Sequence, residues 1–178
     1  PNFAASLGNL SIRLAEVGRR AEALTTTEQA VEVYRRLAAD NPDAHEPHLA
    51  ACLSDLGILL GEVGRQTEAL TTTEQAVEIR RRLAADNPDA HEPHLAASVE
   101  RFAMLLVKEG DFSGALRATG EAVEIYRSHV ATVHSLLPKL HGVLDLQAML
   151  LQALGHQREA EEIRGWLTKN PLPPDSHK

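Results

Sequence analysis

The segment His45-Glu46-Pro47-His48 sets two imidazoles three residues apart beside a carboxylate, and it recurs as His91-Glu92-Pro93-His94. Imidazole nitrogens and a carboxylate oxygen can ligate a transition metal, so this pair is the first place to look for metal chemistry. The spacing is not that of His-Glu-x-x-His, where a separation of four puts both rings on one helical face around zinc, and the proline alters the local geometry. The better reading is a polar turn between larger elements, holding no metal. Cys52 is the single cysteine. No intrachain disulfide or multi-cysteine metal site can form, which suits a reducing cytosol. Without a basic or helix-end setting, Cys52 reads as a small packing residue and not as a nucleophile. Thr25-Thr26-Thr27 and Thr71-Thr72-Thr73 sit where hydroxyls can accept local backbone bonds at the start of a helix. Asn9-Leu10-Ser11 spells a glycosylation sequon by chance, on what reads as a packed helix. There is no P-loop, no GxGxxG and no G-x-S-x-G, and acidic residues such as Asp111 and Glu121 are scattered along the chain. The expectation is a protein with no catalytic residues and no cofactor.

Composition narrows the classes further. Of the 178 residues, 43% are hydrophobic and 24% charged, while aromatics supply only 3%. Such a chain can bury a core, and its apolar share rests on Leu, Ala, Val and Ile, which let helices approach closely. The net charge of −7 runs against phosphate binding, which draws on an excess of Lys and Arg. Arg80-Arg81-Arg82 and Arg35-Arg36 are local exceptions, balanced by nearby acids. No nucleic-acid partner is expected. No apolar run approaches the ~20 residues of a membrane span, and no signal peptide is evident, so a cytoplasmic setting is expected.

The elements that would carry these residues come from a repeat. Glu22 to Glu32 reads EALTTTEQAVE, and the same letters return at Glu68 to Glu78. Across 22–51 and 68–97, 28 of 30 positions match, the changes being Val33 to Ile79 and Tyr34 to Arg80. The period is 46, and a third copy keeps register through Gly18, Gly64 and Gly110 and through Val31, Val77 and Val123. A fourth has lost one residue near 129–137, because Gly155 follows Gly110 by 45. Periods of this length mark solenoids and related arrays. Four units result, about 1–46, 47–92, 93–137 and 138–170, followed by a proline-containing tail at 171–178.

Within each unit apolar residues recur at helical spacing, as in Leu7, Leu10, Leu14 and Val17, or Leu53, Leu56, Leu60 and Val63. Two helices per unit are expected. The first opens near the proline (Pro1, Pro47, Pro93) and ends at the glycine; the second runs from about Ala21 to Ala39 and stops before Asn41-Pro42. Asp43 and Glu46 have the spacing of a capping box for the following unit. No alternating strand pattern interrupts the series, so the class is all-α with about eight helices.

The first-helix pattern is Leu7-x2-Leu10-Ser11-x2-Leu14 followed by Ala23-x3-Thr27; the next units give Leu53-x2-Leu56-Gly57-x2-Leu60 with Ala69-x3-Thr73, and Val99-x2-Phe102-Ala103-x2-Leu106 with Ala115-x3-Thr119. This large, large, small, large order resembles the tetratricopeptide repeat, W-x2-L-G-x2-Y then A-x3-F. Aliphatics replace the Trp and Tyr, Thr replaces the Phe, and the unit is 12 residues longer than the usual 34. The extra length gives a longer second helix, as in the kinesin-light-chain-like branch. The resemblance covers residues 1 to about 168. It implies a right-handed superhelical solenoid of antiparallel helix hairpins, with a concave groove lined by first helices, that binds other polypeptides.

The copies also indicate where specificity should lie. Second helices are nearly identical, whereas only 9 of 17 positions match between 5–21 and 51–67. Mapped from the family, the groove positions are Gly8, Ile12 and Glu16, then Ser54, Ile58 and Glu62, then Glu100, Met104 and Lys108, with small residues such as Ala15 and Gly61 between them. They describe an apolar trough with polar contacts, suited to a peptide or helix. The family's clamp for a C-terminal carboxylate needs an Asn where Ile12, Ile58 and Met104 stand, so that mode is not expected. The alternative is a structural module that associates with itself through the open face of its first hairpin. Trp166 is expected to pack onto the fourth unit.

Overall fold

A computed structural model describes residues 2–172. Pro1 and positions 173–178 of the expected tail lie outside the described residues. The described residues form eight α-helices and no strand: α1 (Asn2–Glu16), α2 (Arg20–Asp40), α3 (Pro42–Glu62), α4 (Gln66–Asp86), α5 (Pro88–Glu109), α6 (Phe112–His129), α7 (Leu137–Ala153) and α8 (Gln157–Lys169). A short 3₁₀ turn, His134–Leu136, leads into α7, close to where the repeat has lost its residue. No helix among the described residues is long and apolar enough to cross a membrane.

The helices fall into two compact units that divide between His91 and Glu92. In the first, α2 packs on α1 and α3, and α3 on α4. Leu14, Ala23 and Leu59 pack into one buried cluster, with Leu24 against it, and so tie α1, α2 and α3 together. In the second, α7 packs on α6 and α8, and α5 is bonded to α6 through Tyr126, whose hydroxyl donates to Glu100 at 3.0 Å.

Each first helix stops because its glycine turns left-handed. Gly18, Gly64, Gly110 and Gly155 have φ between 78° and 86°, and the amide after each glycine donates back across the turn, as Arg65 does to the Leu60 carbonyl at 2.9 Å. A Cβ on Gly64 would meet no atom within 4 Å. The cost of Gly64→Ala is therefore conformational, and we expect it to lower unfolding stability by about 1–2 kcal/mol, measurable by chemical denaturation.

The close approach of the two helices in a unit depends on a small residue facing a threonine. The hydroxyls of Ser11 and Thr27 meet beside the Ala23 carbonyl, which lies 3.1 Å from the Ser11 oxygen, so the two protons are shared among three close oxygens. Gly57 fills the same role, since a Cβ there would lie 2.2 Å from the Thr73 hydroxyl. The threonine runs behave differently from the sequence expectation. Their hydroxyls donate rather than accept, Thr25, Thr26 and Thr27 bonding the carbonyls of Ala21, Glu22 and Ala23 at 3.1, 2.7 and 2.8 Å. Four residues back is where a carbonyl lies within reach of a helical Thr hydroxyl.

Three further expectations are corrected. Helices α3 and α5 begin at Pro42 and Pro88, so Pro47 and Pro93 sit inside them. The cap is not Asp43 with Glu46: the Asn41 side chain accepts from the Ala44 amide at 3.3 Å, and Asn87 does the same for Ala90. An Asx residue followed by proline at the first helical position satisfies a free amide without losing one, a stronger start signal than the inner proline. Leu10, read as a packing residue, is 51% exposed. Its counterpart Leu56 is only 8% exposed, on a helix covered by α2; among the described residues no helix precedes α1 to cover Leu10.

Candidate partner-binding groove

In the first unit α1 and α3 flank a cleft of ≈ 270 Å³. Ile12 and Ile58, 49% and 40% exposed, give it an apolar wall, and Glu16 and Glu62 stand on its rim. Ile12 and Glu16 are four apart on α1, as Ile58 and Glu62 are on α3, so each pair shares one helical face. The glycine turns at Gly18 and Gly64 end both helices just beyond the glutamates, which keeps the rim at the end of the cleft.

Both glutamates are held by arginines. Arg13 donates to Glu16 at 3.0 Å, and Arg20, at the start of α2, donates to Glu62 at 3.0 Å. All four side chains are largely exposed. Such pairs contribute little to stability, so an incoming cation can replace the arginine at small cost. A cleft of this volume is below the usual size of a small-molecule pocket and suits one or two side chains of a larger partner.

Four expected groove residues, Ile12, Glu16, Ile58 and Glu62, are brought together here. Gly8 is half-buried on α1, with open space where a side chain would project. Ser54 is turned inward: it is buried, and its hydroxyl donates to the Ala50 carbonyl at 2.9 Å. In the second unit Met104 and Lys108 are exposed on α5, whereas Glu100 is half-buried and engaged by Tyr126. Sequence reasoning missed four cleft residues, Ser11, Arg20, Asp55 and Leu59. Asp55 was open to detection, since it is three residues before Ile58 and differs from its repeat equivalent Asn9.

Three of the residues suspected of metal chemistry have structural partners. Glu46 accepts from Arg82 at 2.7 Å, His48 stacks on Tyr34 with centroids 5.5 Å apart, and Glu92 lies 3.6 Å from His129. Among the described residues no three His, Cys, Asp or Glu side chains are grouped to hold a metal ion. Cys52 is buried, and desolvation, helped by the nearby Asp55 charge, pushes its thiol up to about 11. It is protonated at neutral pH, as expected of a packing residue.

A different contact recurs between second helices. Arg35 donates to Gln75 at 2.9 Å, and at the equivalent positions of the second unit Arg127 lies 6.0 Å from the Trp166 ring centroid. Trp166 also meets His141 on α7 at 5.6 Å, so from α8 it contacts both α6 and α7. The hydrogen bond of the inner repeat has become a cation–π contact in the last.

Compared with known proteins, residues 3–43 and 49–89 match the family model described as tetratricopeptide repeat. No curated protein matches the chain. Among solved structures, BtubC (BKLC) from P. vanneervenii superposes with a TM-score of 0.73 at 17% identity, over 98% of this chain and 68% of the other. A kinesin light chain-like protein of Podosopora anserina with nearly identical TPR-like repeats gives 0.70 at 22% identity, over 94% and 76%. The Rap conjugation gene regulator of plasmid pLS20, solved in complex with the Phr* peptide, gives 0.63 at 17% identity, over 92% of this chain and 40% of the regulator. At these identities the likeness is one of fold.

Proposed function

The chain carries tetratricopeptide repeats, and from that premise we propose that it is a non-enzymatic interaction module that takes a polypeptide segment into the groove formed by its first helices. The observation that carries this reading is the α1/α3 cleft, where Ile12 and Ile58 stay accessible beside two glutamates that only exposed arginines engage. Each isoleucine is already about half-buried, so partner burial recovers about half of the full value for such a side chain, roughly 1 kcal/mol each. The ligand that fits is a peptide or helix with an aliphatic side chain for the cleft and a Lys or Arg one turn away for Glu16 or Glu62. On α5, Met104 would offer an apolar contact and Lys108 would face an acidic residue of a ligand, beside Glu100, which Tyr126 engages. The Rap regulator's complex with a peptide supports the class of partner, and the single buried cysteine suits a cytoplasmic setting.

The test uses peptides selected from a random dodecamer display library on the wild-type protein. Ile58→Glu is expected to weaken the selected peptides about ten- to hundredfold, the loss of one buried aliphatic contact. Glu78→Lys, at an exposed position on the second helix α4, should leave affinity unchanged. Equal binding by wild type and Ile58→Glu would remove the cleft from the binding site.

A further inference from the structure

In the first unit two contacts tie the second helices together. Arg35 on α2 donates to Gln75 on α4 at 2.9 Å, and Arg65, just before α4, pairs with Glu28 on α2 at 3.3 Å. The second unit lacks the latter tie, because Gly120 and His156 stand at the places of Glu28 and Arg65. Trp166 replaces Gln75, and Gln147 replaces the buried Leu56. Where these exchanges fall, α6, α7 and α8 line a cleft of ≈ 500 Å³, a volume within the usual range for ligand sites.

The cleft has apolar walls and charged ends. Leu116 lines it from α6 and Ile163 from α8. Glu159, Glu162, Ile163 and Trp166 follow at spacings of three, four and seven residues, so they share one face of α8. The helix rise sets the two carboxylates about 10 Å and about 6 Å from Trp166 along the axis. Arg127 marks the opposite end, its guanidinium 6.0 Å from the Trp166 ring centroid. Both glutamates are paired only along the surface of α8: Glu159 meets His156 at 3.1 Å and Glu162 meets Arg158 at 3.3 Å, with all four side chains more than half exposed. Exposed pairs of this kind contribute little, so an incoming ammonium can displace them.

Two carboxylates, an apolar stem lined by an aromatic ring and a guanidinium complement a ligand whose ammonium and carboxylate lie at opposite ends of an aliphatic chain. A lysine at the carboxyl terminus of a polypeptide has that form. We propose that the α6/α8 cleft binds the C-terminal lysine of a partner polypeptide. Its ammonium would meet Glu159 and Glu162, its methylene stem Ile163 and Trp166, and its terminal carboxylate Arg127. Because Arg127, Glu159 and Glu162 are exposed, the residues before that lysine have a path out to solvent, which favours a chain end over a free amino acid. The site is separate from the Ile12/Ile58 cleft and does not depend on it.

Trp166 is the only tryptophan in the chain, so its fluorescence reports on the cleft. Titration with an alanine hexapeptide ending in lysine is expected to change its emission saturably. Amidating the terminal carboxylate should weaken binding at least about tenfold, through loss of a charge-assisted contact. Arg127→Gln should erase the difference between free and amidated peptides, and Glu159→Gln combined with Glu162→Gln should weaken both. These exposed variants should keep the wild-type circular dichroism, and Ile58→Glu should bind as the wild type does. No saturable change at millimolar peptide overturns the proposal, as does equal affinity for the amidated form. Tighter binding of ε-aminocaproate than of the peptide would overturn the choice of a polypeptide end.

Discussion

Tyr126→Ala is expected to lower unfolding stability by about 3–5 kcal/mol, the range for removing a large buried ring, and so to be among the most damaging single changes in the chain. Tyr126 is fully buried on α6, and its hydroxyl reaches across to Glu100 on α5 at 3.0 Å. Burial first, then the Glu100 charge and hydrogen bond, push its phenol well above the usual tyrosine range. The ring thus stays neutral and serves as both packing and strut. Tyr126→Phe separates the two contributions. It keeps the ring and loses a hydrogen bond to a charged acceptor, a loss of about 1.5–3 kcal/mol. Urea denaturation of both variants checks the division; a Phe variant as unstable as the Ala variant would show that the hydroxyl, and not the ring, dominates.

Gly57→Leu is the second large effect. Gly57 sits on α3 where α4 comes closest: a single Cβ would fall 2.2 Å from the Thr73 hydroxyl and 3.4 Å from the Ala69 carbonyl. Gly57→Ala should be mild, because the Thr73 hydroxyl can rotate away. The third unit is the precedent: Ala103 stands at that position, and Thr119 donates to the carbonyl three residues back, that of Leu116 at 2.9 Å, rather than four. The branched Leu side chain has no such exit and must push α3 from α4. Overpacking of this kind costs about 3 kcal/mol, the upper end of the usual range. Thermal melts of Gly57→Ala and Gly57→Leu should therefore separate widely, and similar midpoints would contradict the close-packing role assigned to Gly57.

These positions show which features a one-dimensional reading can reach. The repeat period, the left-handed glycine turns and the ends of the second helices follow from local rules, because proline and glycine act on their immediate neighbours. The start of α3 was misplaced: two prolines compete in Asn41-Pro42 and Glu46-Pro47, and the Asn41 cap, a local interaction, decides it. Leu10 was misjudged for a different reason. Its helical phase is that of Leu56, but burial needs a neighbour, and the sequence pattern of one helix does not carry that. The groove was half accessible in the same sense. Ile12, Glu16, Ile58 and Glu62 share faces by spacing alone, whereas Arg20 enters from the next helix and Ser54 turns inward, both consequences of how hairpins pack.

The central claim, that the first helices receive a polypeptide segment between Ile12 and Ile58, is tested most directly by methyl NMR. With isoleucine methyl groups labelled, a library-selected peptide is added to the wild-type protein. The account predicts that the Ile12 and Ile58 methyl signals shift first and furthest, while those of Ile79 on α4 and Ile163 on α8 hold their positions. Saturable shifts at Ile79 or Ile163, with Ile12 and Ile58 unmoved, would contradict it and place the binding surface on the second helices.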